Sequence, residues 1–321
     1  MKAPNSKLRG GAALMLALWA LFLLSAMVIS WALDINSRLA VSGNASRVLD
    51  AEAMASSGAD VALHPLIKPD SANLHGQMGK HEGYDVKMIG ECGRLNLNFL
   101  AQGEDPTKLE ILRHYLSLKG VELNNIDTMV DSLLDWVSPG QGIHHLNACP
   151  ETDDYRPPHA RLTPLEDLKK VCGWAEFTSK PGWDEDFTVV DNCTCIDLGW
   201  ASRDVLRALS LGDDKVDQFL QLRRGPDGID GTADDLQVSA AASGPALSAA
   251  ACGQLPVEIQ AALGLNQQPP PPMLALLGFN LPVFRVVSVG KSGDVSRTVQ
   301  MVVSRLGGAG GRPLIVSWKE L

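Results

Sequence analysis

The chain is short of positive charge. It has 28 Lys and Arg against 37 Asp and Glu, a formal net charge of −9. Nonspecific nucleic-acid binding needs clustered cations, so no nucleic-acid partner is expected. A catalytic constellation is also missing. There is no Gly-x-Ser-x-Gly, and His64, His75, His81, His114 and His159 lack ligand spacing. His144-His145 beside Cys149 reads as a loop detail. Gly290-Lys291-Ser292 is no phosphate loop, because Arg285 stands where that motif needs glycine. Cys193-Thr194-Cys195 has no second Cys-x-Cys or His-x-His to complete a metal knuckle. No enzyme is expected from these absences.

Charge is absent altogether between Arg9 and Asp34, across 24 residues. At ~1.5 Å rise per residue, a helix of that length covers a hydrocarbon core of ~30 Å. Lys2, Lys7 and Arg9 precede the run and Asp34 follows it. The positive-inside rule puts the N-terminus in the cytoplasm and the body outside. The run is too long for a cleaved secretory signal, and no convincing cleavage site precedes Asp34. Two readings remain. One is a plain signal anchor. The other resembles the leader of type IV pilin-like proteins, in which a membrane peptidase cuts after glycine and leaves the helix in place. The cut would then follow Gly10 or Gly11, the latter making Ala12 the first residue.

About 285 residues follow the anchor, enough for one large or two modest domains. The six cysteines, Cys92, Cys149, Cys172, Cys193, Cys195 and Cys252, all lie beyond it. An even count outside the cytoplasm favours disulfides, with the connectivity open. Apolar and small residues recur at helical spacing to Leu63, so one helix is expected over 12–63, ended by Pro65. Its small face, including Ala51, Ala55, Gly58, Ala59 and Ala62, suits close packing of other helices. Tyr84 to Ile89 alternates as a strand. Two helices follow, which Thr107 and Asn125 can cap. Thr163-Pro164-Leu165-Glu166 reads as a capping box opening a short helix. Ile196 to Leu222 repeats the plan of short extended piece, helix, glycine turn and helix. These units resemble helix-hairpin-helix motifs and read here as packing modules. The stretch 238–277 is a loose connection with a short helix near Val257 to Leu263. The end is β: 283–289, 295–306 and 314–318, with Gly290 to Asp294 as a hairpin turn.

The densest acidic feature is Gly225-Pro226-Asp227-Gly228-Ile229-Asp230-Gly231-Thr232-Ala233-Asp234-Asp235. Calcium takes ~6–8 oxygen ligands, and carboxylates on a glycine-rich loop can deliver them. The spacing is not that of an EF-hand. Asp227, Asp230, Asp234 and Asp235 are the candidate Ca²⁺ ligands, with Thr232 adding a carbonyl or hydroxyl. Asp153 and Asp154 are weaker candidates for a second site.

Taken together, these pieces resemble the minor pseudopilin K family of type II secretion systems. Cys92-Gly93-Arg94-Leu95-Asn96-Leu97-Asn98 is similar to that family's EGGRINLN segment. Leu133-Leu134-Asp135-Trp136 resembles LLDWID, Leu165-Glu166-Asp167-Leu168 resembles SLEEL, and Val205 to Leu209 matches VLRAL. The chain departs at Val137-Ser138-Pro139-Gly140, where the family is acidic, at Leu198-Gly199-Trp200, and in its six cysteines.

The resemblance implies an α+β, pilin-like fold: a long N-terminal helix on an antiparallel sheet, with a large inserted α-helical domain. In this chain that would mean a leader at 1–11, a membrane and stalk helix at 12–63, a sheet domain from 64–95 and 278–321, and the insertion at 96–277. It implies a place at the tip of the pseudopilus, in the bacterial inner membrane. The implied partners are minor pseudopilins I and J, the major pseudopilin and the prepilin peptidase. It also implies a calcium loop in the helical domain. Pilin-like subunits usually carry Glu five residues into the mature chain; here Met15 or Leu16 stands there. A glutamate is costly in lipid unless a neighbouring subunit's amine pairs with it, so an apolar residue suits a subunit with no neighbour ahead. A minor subunit of a type IV pilus and a membrane-anchored periplasmic protein are the alternatives.

Overall fold

The computed structural model describes residues 8–139, 145–236, 252–269, 271–305 and 313–321. One helix, α1 (Leu8–Ala62), opens the chain. Its length agrees with the uncharged run plus the small-residue stretch behind it. Residues 13–47 are exposed all round, as expected of a segment whose apolar side chains meet nothing else in the chain. From Ala51 onwards one stripe is buried: Ala51, Ala55, Gly58, Ala59 and Ala62. That spacing of three and four is one face of a helix.

The stripe packs on a sheet, as the pilin-like fold implies, and not on the other helices that its small residues alone suggest. Five antiparallel strands lie in the order β1-β2-β7-β8-β9. They are β1 (His75–Gln77), β2 (Glu82–Gly90), β7 (Val283–Ser292), β8 (Val295–Ser304) and β9 (Leu314–Glu320). Helix α1 packs on β2, β7 and β8. Val86, Met88, Val286, Val299, Met301 and Val303 meet its alanines in a compact core. Small side chains on the helix bring its backbone close to the pleat.

The tightest approach is at Gly290, which lies in β7 instead of in a turn. A Cβ there would fall 2.0 Å from the Ala51 carbonyl oxygen. The hairpin turn shrinks to Gly293 and Asp294, since Ser292 pairs with Val295. Glycine at 290 therefore marks a close approach, which composition alone reads as a turn.

Arg305 closes the C-terminal end of α1. Its guanidinium donates to the Ala62 carbonyl at 3.0 Å and to Ile67 at 2.7 Å, and lies 5.0 Å from the Phe284 ring centroid. It satisfies helix-end carbonyls and complements the helix dipole.

β2 and β7 are sheet neighbours, yet 91–282 lies between them in sequence. That excursion is mostly helical and has its own core, running from Leu95 to Leu277. Its first unit holds β3 (Leu95–Asn96), α2 (Leu97–Ala101), α3 (Pro106–Leu118) and α4 (Leu123–Val137). After α5 (Ala175–Thr178) and β4 (Phe187–Thr188), the second unit holds β5 (Ile196–Asp197), α6 (Arg203–Ala208) and α7 (Asp213–Arg223). Then come α8 (Val257–Leu263) and β6 (Leu277–Gly278). The repeated plan is present, and each unit begins at a short parallel pair: β3 with β4, β5 with β6. Trp174, Tyr115 and Phe177 pack edge-on or tilted around Phe187, centroids 5.1–6.0 Å apart.

The caps differ from those expected. Asp105 caps α3, accepting from the Thr107 amide at 2.8 Å, with Pro106 as the first helical residue. Helix α4 starts two residues before Asn125, and its first cap, Glu122, makes no side-chain capping bond. Pro164 flanks a 3-10 helix, Leu165–Lys170, with no side-chain cap from Thr163.

Candidate functional site

Three regions concentrate the chemistry: the free part of α1, the joint between sheet and excursion, and the acidic loop after α7. On α1, Leu14, Trp19, Phe22, Ile29 and Trp31 are all more than half exposed. The helix is long and apolar enough to cross a membrane. Gly10, Gly11 and Ala12 lie in its first turns, already helical in backbone.

The joint is built by the segment that sequence reading matched to EGGRINLN. Glu91 is fully buried where β2 ends. Both its oxygens accept from the Arg285 guanidinium at 2.7 Å, and Oε1 accepts from Thr188 Oγ1 at 2.5 Å. Cys92 bonds to Cys193, and Cys195 to Cys252; Cys149 pairs with Cys172. Cys193-Thr194-Cys195 thus staples two separate loops. Closing a loop of about 100 residues, as Cys92–Cys193 does, is worth ~4–5 kcal/mol in the chain-entropy model.

Asn96 Oδ1 caps α2 at the Phe99 amide, while its Nδ2 donates to the Val190 and Cys193 carbonyls at 2.7 and 2.9 Å. Asn98 and Leu162 exchange a reciprocal pair of hydrogen bonds at 2.8 and 2.9 Å. The polar residues of the motif thus converge on the 188–193 stretch, through Thr188, Val189, Val190 and Cys193, and Asn98 ties in Leu162 as well.

In the acidic loop, Asp230 is already engaged. Arg223 and Arg224 hold its two oxygens at 3.0 and 3.1 Å. It neutralises a guanidinium that is itself buried and bonded to the Leu198 and Ala201 carbonyls. Asp227, Thr232, Asp234 and Asp235 form a separate set. Thr232 Oγ1 donates to Asp234 at 2.8 Å and contacts Asp235 at 3.3 Å, and Asp234 accepts the Asp227 amide at 3.1 Å. The Thr232 hydroxyl holds the Asp234 carboxyl below the usual carboxylate range. These are hard oxygen donors and suit calcium chemically. Among the described residues, however, no three His, Cys, Asp or Glu side chains stand in a cluster ready to hold a metal ion. Asp153 is turned to Arg156 at 3.0 Å.

No family model matches this chain, and no curated protein matches it. A solved structure does: a chain of the GspK-GspI-GspJ complex from the enterotoxigenic Escherichia coli type 2 secretion system. The TM-score is 0.53 over 89% of this chain and 99% of that one, at 13% sequence identity. The fold is GspK-like. At that identity the likeness is one of architecture: the long first helix, the antiparallel sheet and the helical excursion between sheet neighbours.

Within this GspK-like fold the second joint is centred on Asp197, which sequence reading missed. Its carboxylate is fully buried and accepts the amides of Gly199 (2.9 Å), Asn280 (2.8 Å) and Leu281 (2.7 Å). It ties β5 to the segment entering β7. A short Asp in an extended piece carries no sequence signal for partners 83 and 84 residues away.

Burial pushes the Asp197 carboxyl up to about 6, against the opposing pull of the three amides and Arg223. The folded state therefore binds this proton more tightly than the unfolded chain does. Its contribution is fully present below about pH 4 and is lost as pH rises through about 6, on the order of 3 kcal/mol. Urea unfolding of wild type and Asp197→Asn at pH 4 and pH 7 should show a smaller pH dependence in the variant. Equal dependence in both would exclude Asp197 as the titrating group.

Proposed function

We propose that this chain is a minor pseudopilin of a type II secretion system, a structural subunit and not an enzyme. The observation that carries the reading is the division of labour along α1. Its N-terminal part is a bare apolar rod, and its C-terminal part is welded to a sheet through a glycine–alanine stripe. A subunit so built can be stored in a bilayer and then packed by its rod against other such rods. The helical excursion between β2 and β7 supports the GspK-like member of the set, with minor pseudopilins I and J and the major pseudopilin as partners. Apolar Met15 and Leu16 support a place at the tip, in the inner membrane with the body periplasmic.

Intact-mass measurement on protein extracted from membranes tests the reading. Removal of ten or eleven residues by the prepilin peptidase, with one added methyl, is expected. An unprocessed N-terminus would count against it.

We also propose that the 225–235 loop takes a calcium ion through Asp227, Thr232, Asp234 and Asp235, with Asp230 remaining on its arginines. The chemistry supplied is neutralisation of a cluster of like charges, which holds the loop against the second helical unit. A ligand at 100 times its Kd stabilises by ~2.7 kcal/mol. Chelation should then lower the melting temperature by about 5–10 °C. An Asp234→Asn, Asp235→Asn double variant should melt at the chelated temperature, whatever calcium is added. A wild-type melt that ignores chelator would remove the ion from this account.

A further inference from the structure

The two edges of the sheet are treated differently. β1 is three residues long, and a short edge offers little to pair with. β9 is seven residues long and exposed throughout. Leu314, Ile315, Val316 and Trp318 are each about 40–50% exposed. Leu314 to Trp318 contains no charge and no proline. Among the described residues, no backbone group bonds to the outer side of β9.

Trp318 pairs with Met301 and Ile315 with Val303, both core residues under α1. Trp318 and Ile315 therefore continue the α1 side of the sheet beyond the helix. On the other face Lys319 is held by Glu166 at 2.9 Å. An exposed edge whose first five residues carry no charge is, left bare, an aggregation site.

Unpaired N–H and C=O groups in a row are complemented by one thing, an extended backbone. The size of the edge narrows the source. Seven residues at ~3.4 Å span ~24 Å, and a strand added there buries on the order of 500 Å² in all. A stable interface needs ~1,200 Å² or more, so the edge holds only a chain that is also held elsewhere. The bare rod of α1 is the other surface. A second copy pairing antiparallel about a two-fold axis is a poor occupant. α1 runs along the strands, with Ala51 and Ala55 at Gly290 and Ala62 at Arg305, so such a copy would point its rod the opposite way.

We propose that β9 is a strand-addition edge, and that its occupant is an extended segment of a different membrane-anchored subunit whose own helix lies beside α1. This rests on the pseudopilin reading, and the test separates the two.

A photo-crosslinking residue is placed at Ser317 in the full-length chain, in membranes that also hold the co-subunits. A second probe at Leu39 reports helix packing. The expected result is that both probes label the same co-subunit, with the Ser317 adduct in an extended segment. Hydrogen exchange should agree: from about half of the 314–320 amides protected in the chain alone to nearly all in the assembly. If Leu39 labels a co-subunit while Ser317 labels nothing, lipid, a helix or a second copy, the edge proposal falls and the pseudopilin reading stands. If neither probe labels a co-subunit, both fall. Val316→Lys should abolish the Ser317 adduct and leave the Leu39 adduct in place; an unchanged Ser317 adduct would also overturn the proposal.

Discussion

Glu91→Ala is expected to destabilise the protein by about 3–5 kcal/mol, the cost of removing one partner from a buried ion pair. For a chain of this size that is a fall of about 10 °C in melting temperature. The carboxylate has no exposure to water and three strong donors around it. Its removal leaves the Arg285 guanidinium, 17% exposed, and the Thr188 hydroxyl without their acceptor, with Arg94 nearby. Burial and Arg285 already depress the Arg94 pKa, so the pocket tolerates no second uncompensated cation. Glu91→Gln keeps the shape and should cost nearly as much, because its amide presents N–H groups to a donor.

The control is a double variant. Glu91→Met with Arg285→Met removes both charges and should recover part of the loss, since apolar replacement of a buried pair is often neutral. Urea titration with the disulfides intact measures all three. Single-variant losses below ~1 kcal/mol would mean that water reaches this carboxylate.

Glu91 stands where the EGGRINLN motif begins, but the motif alone assigns it no partner. Its partners, Thr188 and Arg285, are 97 and 194 positions away. No local period encodes such a contact. What local periods do encode was legible. α1 was expected over 12–63 and spans Leu8–Ala62, because hydrophobic length and small-residue spacing are properties of one segment. The short helix at Val257 and the last three strands were legible for the same reason. The cap of α3 lies two residues before Thr107, where Asp105 ahead of Pro106 is the stronger signal, and that of α4 lies three residues before Asn125, at Glu122, which makes no capping bond. The five residues put forward for calcium are another case. Composition does not separate Asp230 from Asp234, yet in the structure Arg223, seven residues earlier, holds Asp230.

Glycine positions give the second large effect, and they oppose propensity to geometry. Gly→Ala in a helix or strand interior gains ~0.5–1 kcal/mol where space allows. At Gly43, on the free part of α1, nothing lies within 4 Å of an added Cβ, so Gly43→Ala should stabilise by about that amount. At Gly58 the new methyl meets Ser288 Oγ at 2.5 Å and Val86 Cγ2 at 2.8 Å. Both are side-chain atoms with some freedom, so the gain should be cancelled and a net loss of about 1–2 kcal/mol seen.

At Gly290 the obstacles are the Ala51 carbonyl oxygen at 2.0 Å and the Ala55 nitrogen at 2.2 Å. Helix backbone cannot step aside. Contact distance is ~3.5–4 Å, so α1 must lift by about 1.5 Å and forfeit dispersion along the whole stripe. Gly290→Ala should therefore destabilise by ~3 kcal/mol or more, at or above the usual limit of overpacking. It should also free the rod from its set direction on the sheet, so assembly with other subunits would suffer even in the folded fraction. Melting curves of the three variants read the order directly. Stabilisation at Gly290 would mean that the helix does not lie against β7 there, and the weld between rod and sheet would have to be placed elsewhere.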